Sequence, residues 1–260
     1  MNSPLKKPFL SAITFLGRRK EQSQFTDPPI LLGGCARSGT TLLLSILSSH
    51  EDIYACRREL GLFNQVETRE GKVVPTRMDR IYRCLLFHRI PASARRWCEK
   101  SPSNIREFEN IDRFFSGHFR FIQIIRDGRD VILSRHPQDA KRYWVEPERW
   151  VRDVSVGSQF VGHAQMHTIR YEDLINQFEE TMKGICDFLN VQLTERILNW
   201  HQHASVRRNN ALFTEIGKLS SRSIGKWKDP GHKERVEQLT SLPEAELLLE
   251  KYGYLQTGSS

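Results

Sequence analysis

The sequence predicts an α/β fold of three layers, in which helices flank a central parallel sheet. Short apolar runs typical of buried strands alternate with segments that have a helical apolar face, which favours strands paired in parallel. Two of these strands end at a glycine turn that leads directly into a helix. A chain of 260 residues can bury one sizeable core, so we expect a single domain at residues 30–257. Residues 1–29 are expected to form a flexible basic arm.

The first unit of the sheet follows a polar stretch that contains prolines. Ile30 to Leu32 form a short apolar run that predicts a buried strand, and Gly33 and Gly34 end it. Residues 41–47 (TLLLSIL) carry an apolar face that is typical of a helix. A strand, a glycine loop and a helix therefore follow one another.

Later parts of the chain repeat this order. The apolar run at residues 119–125 (FRFIQII) predicts a second strand, which the turn RDGRD at residues 126–130 connects to a helix starting at Val131. Because strands and helices alternate, the strands are expected to lie parallel. The other predicted elements are a mixture of helix and loop at residues 78–98, a strand end at 97–100, a strand at 166–170, a helix at 177–189, a loop at 220–229 and a helix at 243–251.

The charge balance favours anionic partners. The chain has 39 Lys and Arg against 31 Asp and Glu, which gives a formal net charge of +8. The basic residues are spread along the chain without a clustered arm or an aromatic platform, which argues against nucleic acid as the partner. With 38% hydrophobic and 27% charged residues, the composition suits a globular protein and excludes disordered or collagen-like classes.

The cysteines and the N-terminal segment bear on location. The five cysteines show no C-x-x-C pair and no Cys/His metal spacing, which favours a reducing compartment and predicts no metal site. No apolar run approaches the roughly 18 residues of a membrane span, and residues 1–29 lack the apolar core of a secretory signal. We therefore expect a cytoplasmic protein without a transmembrane segment. The basic-apolar-basic pattern of residues 6–20 has two interpretations, a frayed arm or a segment that docks on a membrane surface or a partner.

Residues 34–41 (GCARSGTT) share the G-x-x-x-x-G framework of nucleotide triphosphate loops. Thr40 stands where those loops have the lysine that reaches the phosphates, so the triphosphate machinery is missing. Backbone N–H groups and the following helix N-terminus can still bind an anion, which predicts a P-loop-like site. Arg37 can add a bidentate charge, and the hydroxyl groups of Ser38, Thr40 and Thr41 can donate hydrogen bonds. The alternative is a glycine turn with a purely structural role.

The turn at residues 126–130 predicts a second anion site. Arg126 leaves the strand, and Ser134 follows after about two helical turns, so the two side chains can clamp a phosphate. A salt-bridged turn is the alternative. Two anion sites at the strand ends of one sheet suit a bisphosphorylated nucleotide.

These motifs resemble those of sulfotransferases that use 3'-phosphoadenosine 5'-phosphosulfate (PAPS). Residues 32–43 (LGGCARSGTTLL) resemble the family's 5'-phosphosulfate loop, P-x-x-R/K-S-G-T-T, which implies that Gly39 and its neighbours bind the cofactor. The turn at residues 126–130 is similar to the 3'-phosphate motif, which implies that Arg126 and Ser134 bind that phosphate. The resemblance runs in the family's order from Ile30 to Tyr254, in the style of the carbohydrate and tyrosylprotein branches and their bacterial relatives.

The same resemblance implies two catalytic residues besides Arg37. Residues 58–63 (RELGLF) resemble the K-E-x-x-F-F segment of the carbohydrate branch and the glutamate segment of the tyrosylprotein branch, which makes Glu59 the general base. Residues 99–104 (EKSPSN) resemble the E/D-K-S/T-P element, in which Lys100 stabilises charge on the bridging oxygen. A surface glutamate and a solvent-exposed lysine are the structural alternatives.

Two further stretches resemble nucleotide contacts. Residues 169–174 (IRYEDL) are similar to the family's R-Y-E-D/Q-L stretch, in which Tyr171 lies against the nucleotide. Residues 220–228 (SSRSIGKWK) resemble the late lid, which implies that Arg222, Gly225 and Lys226 close over it. A solvated basic loop is the alternative for the second stretch.

The resemblance implies in-line transfer of a sulfuryl group from PAPS to an acceptor hydroxyl or amine, with adenosine 3',5'-bisphosphate as product and no metal. A small-molecule kinase of related fold is one alternative, against which Thr40 argues. A non-catalytic basic module that binds anions is another. The acceptor, whether carbohydrate, phenol, lipid or peptide, and the oligomeric state are left open by the sequence.

Overall fold

The computed structural model describes residues 6–136, 138–207 and 219–255. The strands are β1 (Ile30–Gly33), β2 (Ile53–Ala55), β3 (Val66–Arg69), β4 (Lys72–Pro75), β5 (Arg96–Lys100), β6 (Arg120–Ile125), β7 (Arg135–His136), β8 (Asp139–Tyr143) and β9 (Met166–Arg170). The helices are α1 (Lys6–Gln24), α2 (Thr40–Leu47), α3 (Asp79–Phe87), α4 (Phe108–Phe115), α5 (Gly128–Val131), α6 (Pro147–Ser158), α7 (Tyr171–Asn176), α8 (Phe178–Leu189), α9 (Glu195–Leu198), α10 (Trp200–His203), α11 (Lys233–Thr240) and α12 (Pro243–Lys251). Short 3-10 helices lie at Pro102–Glu107, Ser221–Ser223, Lys226–Lys228 and Pro230–His232.

Five strands form a parallel sheet in the order β2-β5-β1-β6-β9, which confirms the predicted fold class. All residues of the central strand β1 are buried, as expected when helices cover both faces of a parallel sheet. Leu31 and Leu32 point to opposite faces and belong to separate hydrophobic clusters. Helices α2 and α8 pack on one face and α1, α3 and α4 on the other, which gives three layers.

The order of the strands creates a crevice at one edge of the sheet. The chain leaves β1 for β2, returns to β5 beside β1, and then continues with β6 on the other side of β1. Ligands of open α/β sheets bind where the strand order reverses in this way, outside the carboxyl ends of the strands. The strands end there at Gly33, Lys100, Ile125 and Arg170, directly before or at the predicted site residues.

The N-terminal segment differs from the prediction. Residues 6–24 form helix α1 packed on α3, so the expectation of a flexible arm is wrong for this part. Ile13 is buried, and a Cβ atom at Gly17 would lie 2.3 Å from the Cβ atom of Tyr82. The Trp97 indole N–H donates to Glu21 at 2.7 Å. The helix is therefore part of the folded body, and membrane docking through it stays a prediction.

Within the described ranges, no helix combines the length and the apolar character that a membrane crossing requires.

The second turn also differs from the prediction. Its helix begins at Gly128 and ends at Val131, whereas the sequence predicted a helix starting at Val131. The carbonyl group of Ser134 accepts a hydrogen bond from the Trp144 N–H at 2.8 Å, next to the β7–β8 hairpin. Because this pairing ends the helix, Ser134 does not lie two helical turns beyond Arg126 on one helix. Strand β9 and helix α12 have the predicted bounds.

Candidate active site

A cleft of about 550 Å³ lies at the carboxyl edge of the sheet. It brings together predicted site residues that follow the ends of the sheet strands, although these segments are far apart in the sequence, and Ser223 of the late loop joins them. Its walls are formed by Ala36, Arg37, Gly39, Thr40, Thr41, Leu42, Glu59, Asn64, Lys100, Pro102, Ser103, Arg106, Arg126, Trp144, Arg149, Tyr171 and Ser223.

The loop at residues 34–41 requires its two inner glycines. Gly34 has a φ of 142°, and a Cβ atom there would lie 2.3 Å from the carbonyl oxygen of Ile124. Gly39 has a φ of 99°, and a Cβ atom there would lie 2.5 Å from the ring of Tyr171. Both positions exclude side chains, because the loop runs directly against its neighbours. Helix α2 begins at the next residue, Thr40.

Two side chains of this loop are suited to an anion. Ser38 is fully buried, and its hydroxyl group has no hydrogen-bond partner among the described residues. Desolvation lowers the pKa of Arg37, and the positive charge of Arg126 adds to the shift. Two like charges facing one cleft favour an anion between them. Cys35 in the same loop is buried among apolar side chains, and this burial raises the pKa of its thiol.

Glu59 and Lys100 form an ion pair in the cleft. Lys100 is 1% exposed at the end of β5, whereas the side chain of Glu59 is 44% exposed. Burial lowers the pKa of Lys100, and the charge of Glu59 acts against this shift. The pair therefore places a solvent-accessible carboxylate beside a desolvated amine. The alternative of a solvent-exposed lysine does not apply, because Lys100 is buried.

The loop that carries Glu59 is held in place by hydrogen bonds of its backbone. The Leu60 N–H donates to the Glu99 carboxylate at 3.0 Å, and the Gly61 N–H donates to the Ser101 hydroxyl at 2.9 Å. Arg80 donates to the carbonyl oxygen of Leu60 at 2.5 Å. These contacts hold the chain immediately after the predicted base.

Arg126 connects three parts of the site. Its guanidinium group donates to the Arg37 carbonyl oxygen at 3.0 Å and to the Ser223 carbonyl oxygen, and it lies 4.6 Å from the centre of the Tyr171 ring. The Tyr171 hydroxyl group is 2.9 Å from that of Ser223. The first loop, the second turn and the late loop thus meet around one arginine.

The late loop is bound to the second turn by its backbone. Asp130, which is buried, accepts hydrogen bonds from the N–H groups of Gly225 at 2.7 Å and Trp227 at 3.2 Å. The guanidinium group of Arg129 lies 3.5 Å from the centre of the Trp227 indole. A salt bridge between Arg129 and Asp127 also occurs, as the salt-bridged interpretation of this turn expected.

Five predicted nucleotide residues lie outside the cleft wall, and the first of them, Ser38, is fully buried. Ser134 is half-buried beside the β7–β8 hairpin, and Gly225 is held by Asp130 rather than facing the cleft. The side chains of Arg222 and Lys226 are exposed to solvent. Their roles toward a nucleotide stay predictions.

The structure adds cleft residues that the sequence analysis missed. Ser103 donates to the side chain of Asn64 at 2.7 Å on the wall next to Glu59. Arg106 and Arg149 line the opposite part, and both lie near the buried carboxylate of Asp153, at 3.8 and 3.6 Å. Ser103 stands inside the EKSPSN segment, so its position could have been noticed. Arg106 and Arg149 belong to no motif, and only the packing of α6 on the 3-10 helix at Pro102–Glu107 brings them together.

Within the described residues, no group of three or more His, Cys, Asp or Glu side chains could hold a metal ion.

Comparison with known sequences gives a consistent result. A family model described as "Sulfotransferase family" matches residues 74–195, a range that contains Lys100, Arg126 and Tyr171. A protein-tyrosine sulfotransferase of Drosophila melanogaster is 24% identical over 225 residues, which cover 76% of this chain and 44% of that protein. A putative protein-tyrosine sulfotransferase of Caenorhabditis briggsae is 25% identical over 228 residues, covering 77% and 80%. Protein-tyrosine sulfotransferase 1 of Danio rerio is 25% identical over 201 residues, covering 66% and 56%. The chain spans about half the length of most curated relatives that it matches.

Solved structures share the fold. The sulfotransferase domain of the Synechococcus PCC 7002 olefin synthase superposes with a TM-score of 0.59 at 19% identity, covering 90% of this chain and 97% of that domain. The sulfotransferase domain of the curacin biosynthetic pathway has a TM-score of 0.56 at 18% identity, covering 84% and 98%. The sequence match over residues 74–195, the relatives and the shared architecture agree in their similarity to sulfotransferases.

Proposed function

We propose that the protein transfers a sulfuryl group from PAPS to an acceptor hydroxyl or amine by in-line displacement. One observation carries the proposal: an accessible carboxylate, Glu59, is paired with a buried lysine, Lys100, in the same cleft as the anion-suited loop at residues 34–41. A base, a cation for the leaving oxygen and an anion cradle are the three parts that this reaction requires.

The residues present fit a nucleotide with two anionic ends. The partnerless hydroxyl group of Ser38, the glycine backbone and Arg37 suit the 5'-phosphosulfate. Arg126 suits the 3'-phosphate, since its Nε atom is buried and has no hydrogen-bond partner among the described residues. Tyr171, next to Arg126, provides an aromatic face for the base or ribose.

The chemistry follows from the position of the pair. PAPS supplies the sulfuryl group and a good leaving group. The Glu59 carboxylate takes the proton of the acceptor as its oxygen or nitrogen bonds to sulfur. The electron pair of the broken sulfur–oxygen bond stays on the bridging oxygen, where Lys100 and Arg37 stabilise the negative charge. Binding both substrates in one cleft supplies the alignment for the displacement.

The acceptor is the open part of the proposal. Because the curated relatives are named protein-tyrosine sulfotransferases, a tyrosine hydroxyl group within a polypeptide is the first acceptor to test. A cytoplasmic location and the absence of a metal requirement remain part of the proposal as predictions from the sequence.

The test is incubation of the purified chain with 35S-labelled PAPS and a panel of peptides, phenols, carbohydrates and lipids. We expect label on one acceptor class and release of adenosine 3',5'-bisphosphate. Binding of ATP with magnesium in preference to adenosine 3',5'-bisphosphate would contradict the proposal and favour a kinase. Salt-dependent anion binding without transfer to any acceptor would favour a non-catalytic module.

The role of the base is tested by Glu59→Gln. We expect kcat to fall by about 10²- to 10⁴-fold, the usual contribution of a general base, because the amide cannot take the proton. Calorimetric titration should show that adenosine 3',5'-bisphosphate still binds, within about threefold of the wild-type affinity. Glu51→Gln is the matched control, since Glu51 is an exposed glutamate at the end of α2 and pairs with Arg196 outside the cleft. A Glu59→Gln enzyme with unchanged kcat would assign the base elsewhere.

A further inference from the structure

Glu99 is a fully buried carboxylate that directly precedes Lys100 in β5. It lies outside the cleft wall, and the proposed reaction does not use it. Its neighbour in the strand, Lys100, forms the ion pair with Glu59. The following inference rests on the proposed function.

Every hydrogen bond that the described residues make to this carboxylate is donated to it. The Oε1 atom accepts from the Leu60 N–H at 3.0 Å and from the Ser101 hydroxyl at 2.6 Å, and the Oε2 atom accepts from the Asn104 amide at 2.8 Å. Ser101 itself accepts from the Gly61 N–H, so its hydroxyl hydrogen points to Glu99. Burial raises the pKa of Glu99, but donors on both oxygens and the charge of Lys100 act against that shift. The arrangement fits an ionised carboxylate.

The same hydrogen bonds fix the loop of the predicted base. Leu60 and Gly61 follow Glu59 directly, and their N–H groups end on Glu99 and on Ser101. Because the loop is held at two successive amides, the Glu59 carboxylate is directed toward Lys100.

The charges around Lys100 also change during the reaction. Glu59 and Glu99 raise the pKa of Lys100, whereas burial and the charge of Arg37 lower it. The charge of Glu99 also acts on the thiols of Cys56, Cys84 and Cys98, whose ionisation it opposes. When Glu59 takes the acceptor proton it becomes neutral, so Glu99 is then the carboxylate that still balances Lys100 while charge develops on the bridging oxygen.

We propose that Glu99 is a positioning residue for sulfuryl transfer, which holds the Glu59 loop against Lys100 and keeps Lys100 protonated after Glu59 has accepted the proton. Glu99 touches neither the nucleotide nor the acceptor. It acts through the two residues that do.

The first test is Glu99→Gln, which keeps an oxygen for the Leu60 N–H but removes the charge. We expect kcat to fall by about 10- to 100-fold while the KM for PAPS stays within about threefold, because only the reacting geometry and charge change. Losing a negative charge next to Lys100 lowers the pKa of this amine, so the alkaline limb of the kcat–pH profile should move to lower pH by about one unit.

Glu21→Gln is the matched control. Glu21 is also a largely buried carboxylate with a raised pKa, and it contacts the same strand through the Trp97 side chain. Its substitution should leave kcat and the alkaline limb unchanged. A Glu99→Gln enzyme with wild-type kcat and a wild-type alkaline limb would overturn the proposal.

A second measurement does not depend on turnover or on the folding of Glu99→Gln. The Glu59→Gln variant has an uncharged side chain next to Lys100, as the wild-type protein has after Glu59 has taken the proton. Glu99 then remains as the counter-charge of Lys100. Pulse labelling with an amine reagent, read by mass spectrometry at Lys100 across pH, should give a rate that still rises with pH above about pH 7, as expected of an amine that is protonated at pH 7. Because Lys100 is buried and reacts slowly at every pH, this rise is the readout and the rate itself is not. A labelling rate that no longer rises above about pH 7, as expected of a free amine, would overturn the proposal even in a folded protein. If wild-type protein transfers no sulfuryl group yet Lys100 shows the expected profile, the proposed function fails and the assignment of Glu99 as the counter-charge of Lys100 stands.

Discussion

The two turns that face the cleft from neighbouring strands, at residues 34–41 after β1 and at residues 126–130 after β6, use their polar groups in different ways. The first turn leaves the buried hydroxyl group of Ser38 without a partner among the described residues. The second turn also leaves one such atom, the Nε of Arg126, but its other polar side chains are bound within the protein, since Asp127 pairs with Arg129 and Asp130 accepts from the late loop. A buried polar group without a partner costs stability, and a protein keeps one where a ligand completes it. We therefore expect the first turn to act mainly on a bound anion, and the second both to contact it through Arg126 and to hold the late loop in place.

The largest expected effect comes from a substitution at Gly39 that disrupts the first turn. Gly39→Ala puts a side chain at a φ of 99° and only 2.5 Å from the Tyr171 ring. The left-handed conformation alone costs about 1–3 kcal/mol, and the clash displaces Tyr171 as well. We expect a lower Tm and a loss of affinity for adenosine 3',5'-bisphosphate of more than about tenfold by calorimetry.

Gly162→Ala separates strain from contact. Gly162 has a similar φ of 90°, but a Cβ atom there would meet nothing within 4 Å. This variant should lose stability without losing nucleotide affinity. Equal affinity in the Gly39→Ala and wild-type proteins would show that the first turn is not an anion cradle.

The next largest effect is expected from Asp130→Asn, which weakens the hydrogen bonds between the second turn and the late loop. In Asp130→Asn, one of the N–H groups of Gly225 and Trp227 faces an amide hydrogen instead of an oxygen. An unsatisfied buried group costs about 1–3 kcal/mol, so residues 219–229 should become sensitive to protease and the nucleotide should bind about tenfold more weakly. Asp229→Asn is the control, because Asp229 accepts from the Gly231 N–H at the protein surface. If both variants are cleaved at the wild-type rate, Asp130 does not hold the loop.

The smallest effect has opposite signs for stability and binding. Ser38→Ala removes a buried hydroxyl group that has no partner in the described protein, so Tm should stay the same or rise. Affinity for adenosine 3',5'-bisphosphate should fall by about three- to tenfold, because one hydrogen bond to the anion is lost. Ser45→Ala is the matched control, since the Ser45 hydroxyl is also buried and without a partner among the described residues but lies within α2, beyond the loop at residues 34–41. A fall in affinity in both variants would show that the loss comes from α2 and not from the anion site.

The parallel sheet and the glycine turns after its strands could be predicted from the sequence because they depend on local patterns. Buried strands read as apolar runs, and glycine at positions 34 and 39 is required by the backbone itself. Glu59 and Lys100 were predicted as site residues through motif resemblance, and the structure brings them together across 41 residues of chain. Their roles, and those of the other predicted site residues, remain to be tested by the variants above.

What the sequence did not reveal depends on contacts between distant segments. The end of α5 at Val131 follows from the pairing of Ser134 with Trp144, which the motif RDGRD does not encode. Helix α1 was missed because its stability comes from α3 and Trp97 rather than from a strong pattern of its own. Asp130 looked like part of a charged turn, since its partners are backbone groups of Gly225 and Trp227, almost a hundred positions later.

The contacts of the site join parts of the chain that meet only late in folding. Arg126 and Ser223 are separated by 97 residues, and their hydrogen bond closes a loop that includes β9 and α8. Closing such long loops costs entropy before any contact can offset it, so contacts of this kind tend to form after local helices and hairpins. A newly synthesised chain can therefore hold much of its helix while the cleft is still open at one side. The chemistry of this protein is expected to begin only when its last long-range closure is complete.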